Sequence, residues 1–536
     1  MHPSLYLVNP RTDVPFYFGM EVHAAHGFRP GVLLADAALP TIAALAPPSF
    51  DVHLCDEGIE PVNFDTTARF VGITGKVSQE ARMVEIAREF RRRGKVVICG
   101  GPFASLSPHR LRSECDILVR GEFENIAARF FADLESGNWQ REYLGDKPSL
   151  STSPVPRWDL YPNHGALSGT LQTSRGCPFE CEFCDVIQYL GRTQRHKEPA
   201  QVLAELDALY AQGYRAVFLA DDNFTVFRAR TKELLRSMIA WNDARTEGRM
   251  QFSTQVSIDG ARDAELLKLC ADAGLATVFI GIESPNADSM REAKKRQNVG
   301  VDMREQIGRF AANGIMVSGG MMLGFDSDSI DIFERQYEFA MSLPIPMFTA
   351  TPLSAPFGTP LYDRMLAEGR LMPYTDSAPL LPWVTNLIPK QMTHGQLVTG
   401  MQWLCNRLYR PSAFEQRVAR YIDQYRAPAP RPNSKAQPAP ERRLDRERVE
   451  LVRRVATLGK EEALMAARLE RRLLRKPEAT PHVMLAIGYY MQTRHMFSVS
   501  GLWNPALAAQ ARPVFEPGKS AAVGPLRAPM FPILQT

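Results

Sequence analysis

The chain has 536 residues, 45% of them hydrophobic and 23% charged, a composition that builds soluble cores and a length suited to about three or four units. Its 63 basic and 59 acidic residues leave a formal charge of only +4, which excludes a whole-protein electrostatic grip on nucleic acid. No apolar run approaches the roughly 18 residues that span a bilayer, and the opening MHPSLYLVNPRTD has no basic leader before an apolar stretch, so a cytoplasmic protein is expected.

Residues 1–145 alternate short β-branched or apolar runs with helical patterns. The runs are SLYLVNP (4–10), DVHLCDE (51–57), RFVGITG (69–75), KVVICGG (95–101) and DILVRGE (116–122). Between the third and fourth, Met83, Ile86 and Phe90 recur at helical spacing before a glycine stop. This alternation predicts a doubly wound, Rossmann-like parallel sheet, whose ligands sit beyond the carboxyl ends of its strands. Three runs carry glycines at or near those ends: Gly72 and Gly75, Gly100 and Gly101, and Gly121. Such glycines either let a bulky ligand approach the backbone or simply make strand-to-helix turns. His53 falls inside its run, with Asp56 where a cobalt-ligating D-x-H-x-x-G signature would need glycine, and reads as an ordinary strand histidine.

A Pro-rich link (146–164, with SPVPRWDLYP) leads to GTLQTSRGCPFECEFCDV, where an apolar strand runs into Cys177, Cys181 and Cys184. In a reducing compartment, clustered cysteines are metal ligands or catalysts rather than disulfides. A closed structural zinc site wants four ligands, commonly two separated C-x2-C pairs, and no second pair follows. Four thiolates also normally hold a 4Fe-4S cluster, so three leave one iron open to a substrate or cofactor. Further strands then recur between helical stretches: AVFLADDNF (216–224), QFSTQVSID (251–259), ATVFIGIES (276–284), GIMVSGGMMLGF (314–325) and PMFTATPLSAPFGTP (346–360). With GTLQTS this makes six strand-helix units, with polar residues near their carboxyl ends: Asp221, Asp222, Gln255, Ser257 and Glu283.

The C-x3-C-x2-C spacing resembles that of the radical S-adenosylmethionine (SAM) enzymes, and the likeness extends over about residues 165–375, implying a partial (β/α)6 barrel. It implies that Cys177, Cys181 and Cys184 bind the cluster, that the open iron chelates SAM, and that one electron from an external flavodoxin- or ferredoxin-type reductant yields a 5'-deoxyadenosyl radical. Asp221 and Asp222 stand where that family receives the SAM amino group. Gln255, Ser257 and Glu283 are placed for its ribose or methionyl portion, and Phe183 for its adenine; helix caps and a core aromatic are the plain alternatives.

A Rossmann-like domain directly before the barrel, with paired GGP and RGE segments, resembles the cobalamin-binding class of radical SAM enzymes. That implies corrin contacts from Thr74, Gly75, Gly100, Gly101, Pro102, Gly121 and Glu122, with no histidine below cobalt. CDVIQYLGRTQRHKEP followed by FLADDNF resembles the subgroup that includes the hopanoid C-2 methylases, implying methylation of an unactivated carbon of a small-molecule or lipid substrate through methylcobalamin. Some relatives form rings or oxidise with the same apparatus. An RNA methylthiotransferase would need a second cluster on Cys55, Cys99 and Cys115, two of which fall in or beside strands.

Beyond the barrel, 376–425 reads as a helical extension with Trp403, Leu404 and Leu408 suited to packing, and Cys405 as a buried thiol. Residues 426–445 read as a Pro-rich linker, 446–498 as a helical region, and 499–536 as an extended or disordered tail. Leu451, Val455, Leu458, Met465, Leu469 and Leu473 form an apolar stripe opposite many arginines. Such a helix either packs between domains or lies against the anionic inner face of a membrane.

Overall fold

The computed structural model describes residues 3–372, 384–431 and 442–515. The N-terminal sheet is parallel, in the order β3 (Asp51–Asp56), β1 (Ser4–Asn9), β4 (Phe70–Thr74), β5 (Val96–Gly100), β6 (Ile117–Arg120) and β7 (Glu142–Leu144). Its runs stand where the sequence places them. β4 is buried along its whole length, as a strand covered on both faces must be. The helix Glu80–Arg92 buries Met83, Ile86 and Phe90 and turns Arg88, Arg91 and Arg92 outward. His53 is exposed and pairs with Asp51 at 3.0 Å.

The second sheet carries the six expected strands in parallel: β8 (Ala166–Leu171), β11 (Ala216–Leu219), β12 (Gln251–Gln255), β13 (Leu275–Glu283), β14 (Met316–Leu323) and β15 (Met347–Pro352). Between β8 and β11 lie a two-residue ladder, β9 (Ser174–Arg175) with β10 (Arg195–His196), and the cysteine loop. Helices cover the outer face, where Val278, Ile280 and Ile282 of β13 are essentially inaccessible.

A seventh strand comes from the N-terminal domain. Val32–Leu34, β2, pairs parallel with the start of β8, Val32 opposite Ala166. Fifteen residues earlier, Tyr17 reaches the opposite edge: its hydroxyl donates to the carbonyl of Ala350 at 3.1 Å and accepts from its amide at 3.3 Å. Tyr409 likewise donates to the Phe348 carbonyl at 2.6 Å. The free edge of β15 is thus capped by side chains, and the chain between Tyr17 and Leu34 runs from one barrel edge to the other. Assigning all of 1–145 to the first domain is therefore corrected for this stretch. Three residues carry little sequence signal, and their pairing is decided by tertiary contact.

The C-terminal region is helical. His394–Leu408 and Pro411–Gln424 bury Trp403, Leu404, Cys405 and Leu408. Arg443–Arg453, Lys460–Leu473 and Thr480–Val499 follow, and Leu451, Val455, Met465 and Leu469 of the apolar stripe are buried among these helices while Leu458 is exposed. The stripe therefore packs between helices, and among the described residues no helix is long and apolar enough to cross a membrane. The expected extended tail starts instead with a docked helix, Pro505–Ala509, with Trp403 Nε1 donating to the Gln510 carbonyl at 3.1 Å. Most of the Pro-rich linker (432–441) and the end of the tail (516–536) lie outside the described residues.

Candidate active site between the two sheets

The cysteine loop is braced from several sides. Asp221, buried after β11, accepts from the amides of Thr173 (2.7 Å) and Ser174 (3.2 Å) and from both their hydroxyls. Four donors occupy this carboxylate, which corrects its expected role: it holds the loop rather than the SAM amino group. Asp222 accepts from the Gly176 amide at 2.7 Å, and burial raises its pKa to about 6. Glu182, between two of the cysteines, is held by Arg364 at 2.7 and 3.2 Å.

Cys181 is buried, and Cys177 and Cys184 are half-buried; all three are free thiols. Burial pushes up the thiol pKa of Cys177, and that of Cys184 to about 12, so their thiolates need a cation to oppose the desolvation. One cation is already nearby. Lys295 lies within electrostatic reach of all three thiols and 5.8 Å from the Phe183 ring centroid, and it donates to Glu283 at 2.5 Å. Glu283 sits at a β-bulge with φ +61, a strained conformation fixed by its partner. Gln297 donates from Nε2 to Cys181 Sγ at 3.7 Å. Sequence reading missed Lys295 and Gln297, because EAKKRQN looks like a solvated charged turn. Among the described residues, no three His, Cys, Asp or Glu side chains close on one point as a single ion would need. A four-iron cube, in which each thiolate takes its own iron, asks for three thiols on one loop around a shared space, and the donor set fits it.

The remaining expected SAM contacts divide. Gln255 is exposed at the end of β12, its side chain free of partners among the described residues, whereas Ser257 accepts from Asn223 Nδ2 at 2.6 Å. Phe183 packs edge-on to Phe325 at 6.5 Å.

Facing this loop is a cavity of about 340 Å³. From the first domain it is lined by Thr74, Gly100, Gly101, Pro102, Gly121 and Glu122. From the barrel side it meets Thr170, Arg175, Tyr189, Lys197 and Ala220. Gly75 is the exception among the expected corrin contacts: it packs on Met83, and its carbonyl accepts from the Phe103 amide at 3.1 Å. Gly101 (φ +88) and Gly121 (φ +75) need glycine for the turn itself. Gly100 differs, since a Cβ there would meet nothing nearer than Val119 at 3.7 Å; the missing side chain leaves room in the cavity. An apolar arm lined by Leu5, Leu7, Ile42, Leu45, Ile98 and Phe130 extends under β1, β4 and β5. The glycine edge, the apolar arm and a barrel-side boundary at Arg175 and Tyr189, which flank the cysteine loop, fit a cobalamin whose tail enters the first domain.

Glu122 is clamped as well as cavity-lining. Arg175 binds it at 2.6 Å and Arg195 at 2.5 and 3.0 Å, while Arg175 also holds Glu124 at 2.8 Å. All four come together at the junction of the domains. Cys99 and Cys115 lie in the core of the first domain, against each other, with Cys55 in the same core. A second cluster there would have to displace packed residues.

A profile of the radical SAM superfamily matches residues 171–340, and one described as a domain of unknown function, DUF4070, matches 359–501. The hopanoid C-2 methylase of Rhodopseudomonas palustris is 31% identical over 71% of this chain and 72% of its own length. The chain belongs to the cobalamin-dependent radical SAM family. Its cofactors are accordingly a 4Fe-4S cluster, SAM and cobalamin. A second relative, the uncharacterized methyltransferase sll1242 of Synechocystis sp., is 36% identical over 64% of this chain, which spans 64% of that relative. Solved cobalamin-dependent members share the fold: TsrM from Kitasatospora setae (TM-score 0.55, 18% identity, 69% of this chain and 75% of that one) and OxsB (0.57, 14%, 94% and 85%).

Proposed function

We propose that this family member is a C-methyltransferase acting on an unactivated carbon of a small molecule or lipid. The observation that carries the reading is the single cavity bounded by Gly100, Gly101 and Pro102 on one side and by Arg175 and Tyr189 beside the cysteine loop on the other. When bound, cobalamin supplies the methyl group, and the reduced cluster with SAM supplies the radical that removes hydrogen. The chain's own residues position and exclude. Cys177, Cys181 and Cys184 hold the cluster, and Asp221, Asp222 and Glu182 fix the loop that carries them. Lys295, held in place by its ion pair with Glu283, keeps an ammonium beside the thiolates, and Gln255 and Phe183 face SAM. Glu122 with Arg175 and Arg195 closes the domain junction, keeping water from the reacting carbon.

Relatives named for their substrates include the hopanoid C-2 methylase and a bacteriochlorophyllide d C-8(2)-methyltransferase of Chlorobaculum tepidum, 25% identical over 62% of this chain. Both names denote large ring systems, and a bulky, mainly apolar substrate is the class we assign here. The test is anaerobic incubation of reconstituted, reduced protein with cobalamin, methyl-labelled SAM and hopanoid or chlorophyllide candidates. Label in the acceptor with 5'-deoxyadenosine and S-adenosylhomocysteine is expected. Consumption of a good substrate with deoxyadenosine but no label would move the reading to ring formation or oxidation.

A further inference from the structure

The inner face of the barrel sheet carries exposed polar side chains. β12 lies in the middle of the seven-stranded sheet, and its Phe252 and Thr254 are buried beneath the outer helices. Yet Gln251 and Gln255, which point the other way, are exposed. The inner face of the sheet is therefore open. Across from it stands a wall from distant parts of the chain. Phe18 packs edge-on to Phe279 of β13 at 6.1 Å and to Tyr489 of the Thr480–Val499 helix at 6.0 Å. Beside Tyr489 is Gly488, where a Cβ would stand 3.9 Å from Arg448 Nε.

Arg448 is anomalous. Its side chain is half-buried, and among the described residues it has neither a hydrogen bond nor an ion pair. Its neighbours are mostly spoken for: Arg443 pairs with Glu447 at 2.8 Å and Glu21 is bound by Gln492, while Asp445, exposed one turn back on the same helix, acts on it only through space. His23 stands near it, buried, with neither ring nitrogen partnered among the described residues, and burial lowers its pKa to about 4, so it adds no charge. Desolvation also depresses the pKa of Arg448, against a smaller opposing pull from Tyr489 and Asp445. A cation in this state costs stability unless something answers it.

We propose that Arg448 receives the anionic head, a carboxylate or phosphate, of an otherwise apolar substrate that lies along Phe18, Phe279 and Tyr489. The proposal rests on the methyltransferase reading and adds to it the charge of the substrate and the wall that reads it. The apolar rings take the body of the molecule, and the guanidinium offers paired donors that match two oxygens of one head group.

The test uses reconstituted holoenzyme and three probes below their micellar concentrations: dodecanoate, dodecyl phosphate and dodecan-1-ol, with binding read by equilibrium dialysis. The wild-type protein should hold one of the anions about tenfold or more tightly than the alcohol. Arg448→Gln should bind all three alike, and Arg448→Lys should keep part of the preference; the preferred anion identifies the head group. The Gln variant should also unfold at a temperature equal to or above the wild type, because an unpaired cation has gone. Equal binding of anion and alcohol by the wild type, an anion preference that survives Arg448→Gln, or a lowered unfolding temperature in that variant would each overturn the proposal. Substrate-independent 5'-deoxyadenosine formation, measured in parallel, should be the same in both proteins. Its loss in the wild type would strike the enzyme reading, not the anion site.

Discussion

Glu122 offers a clean choice between two roles. Sequence resemblance makes it a cobalamin contact, whereas the structure gives its oxygens to Arg175 and Arg195 across the domain junction. Its side chain is 5% exposed and those of the arginines 13% and 14%, so this is a buried charge cluster. Glu122→Gln keeps the shape and removes the charge. Arg175 retains Glu124 at 2.8 Å, but Arg195 is left with backbone carbonyls, of Pro148 at 2.8 Å and Leu190 at 3.2 Å. Breaking a buried pair from one side costs about 3–5 kcal/mol, and the surviving Glu124 contact places this case near 3. That is a large part of the roughly 5–15 kcal/mol that holds a typical protein folded. Urea unfolding of cobalamin-free protein should show the loss, together with faster proteolysis between the domains. Unchanged unfolding of the cobalamin-free variant combined with weakened cobalamin binding would refute the clamp and restore the ligand role.

Gln297→Leu removes a donor to Cys181 and should lower the cluster's reduction potential by tens of millivolts, read by EPR-monitored titration with the iron content unchanged. Cys181→Ala should abolish the iron-sulfur absorbance and deoxyadenosine production together. Tyr17→Phe uncaps Ala350 on β15 and should cost about 1 kcal/mol in urea unfolding. Asp56 is buried, with its pKa raised from 3.8 to about 6, so its contribution to stability is fully present below pH 3.8 and lost as pH rises through 6. The wild type should therefore gain about 1.4 kcal/mol from this group between pH 7 and pH 5, and Asp56→Asn should remove that gain.

What could be read from the sequence follows from how local the signal is. β4, β5 and β13 are strong β-branched runs beside amphipathic helices, so the positions of strands along the chain and the order of domains were visible. The three cysteines declared themselves because their spacing needs no tertiary information. β2 was not visible: VLL is three residues in a proline-containing stretch, and only its pairing with β8 makes it a strand. Lys295 and Gln297 were hidden for a related reason. A lysine-arginine turn looks solvated until the barrel folds it against Glu283 and Cys181. Asp221 was found, but its role was misread, because the donors that occupy it lie about fifty residues earlier in the chain.

The account stands on one cavity that serves both the first domain and the cluster loop, and Gly100 gives access to it. Gly100→Trp should fold, since a Cβ meets no close neighbour there, while the ring fills the space assigned to the corrin. After anaerobic reconstitution, iron and cobalamin are counted on both proteins. The account predicts about four irons and one cobalamin per wild-type chain, and about four irons with almost no cobalamin for Gly100→Trp. Equal cobalamin on both proteins, or none on the wild type, would contradict it.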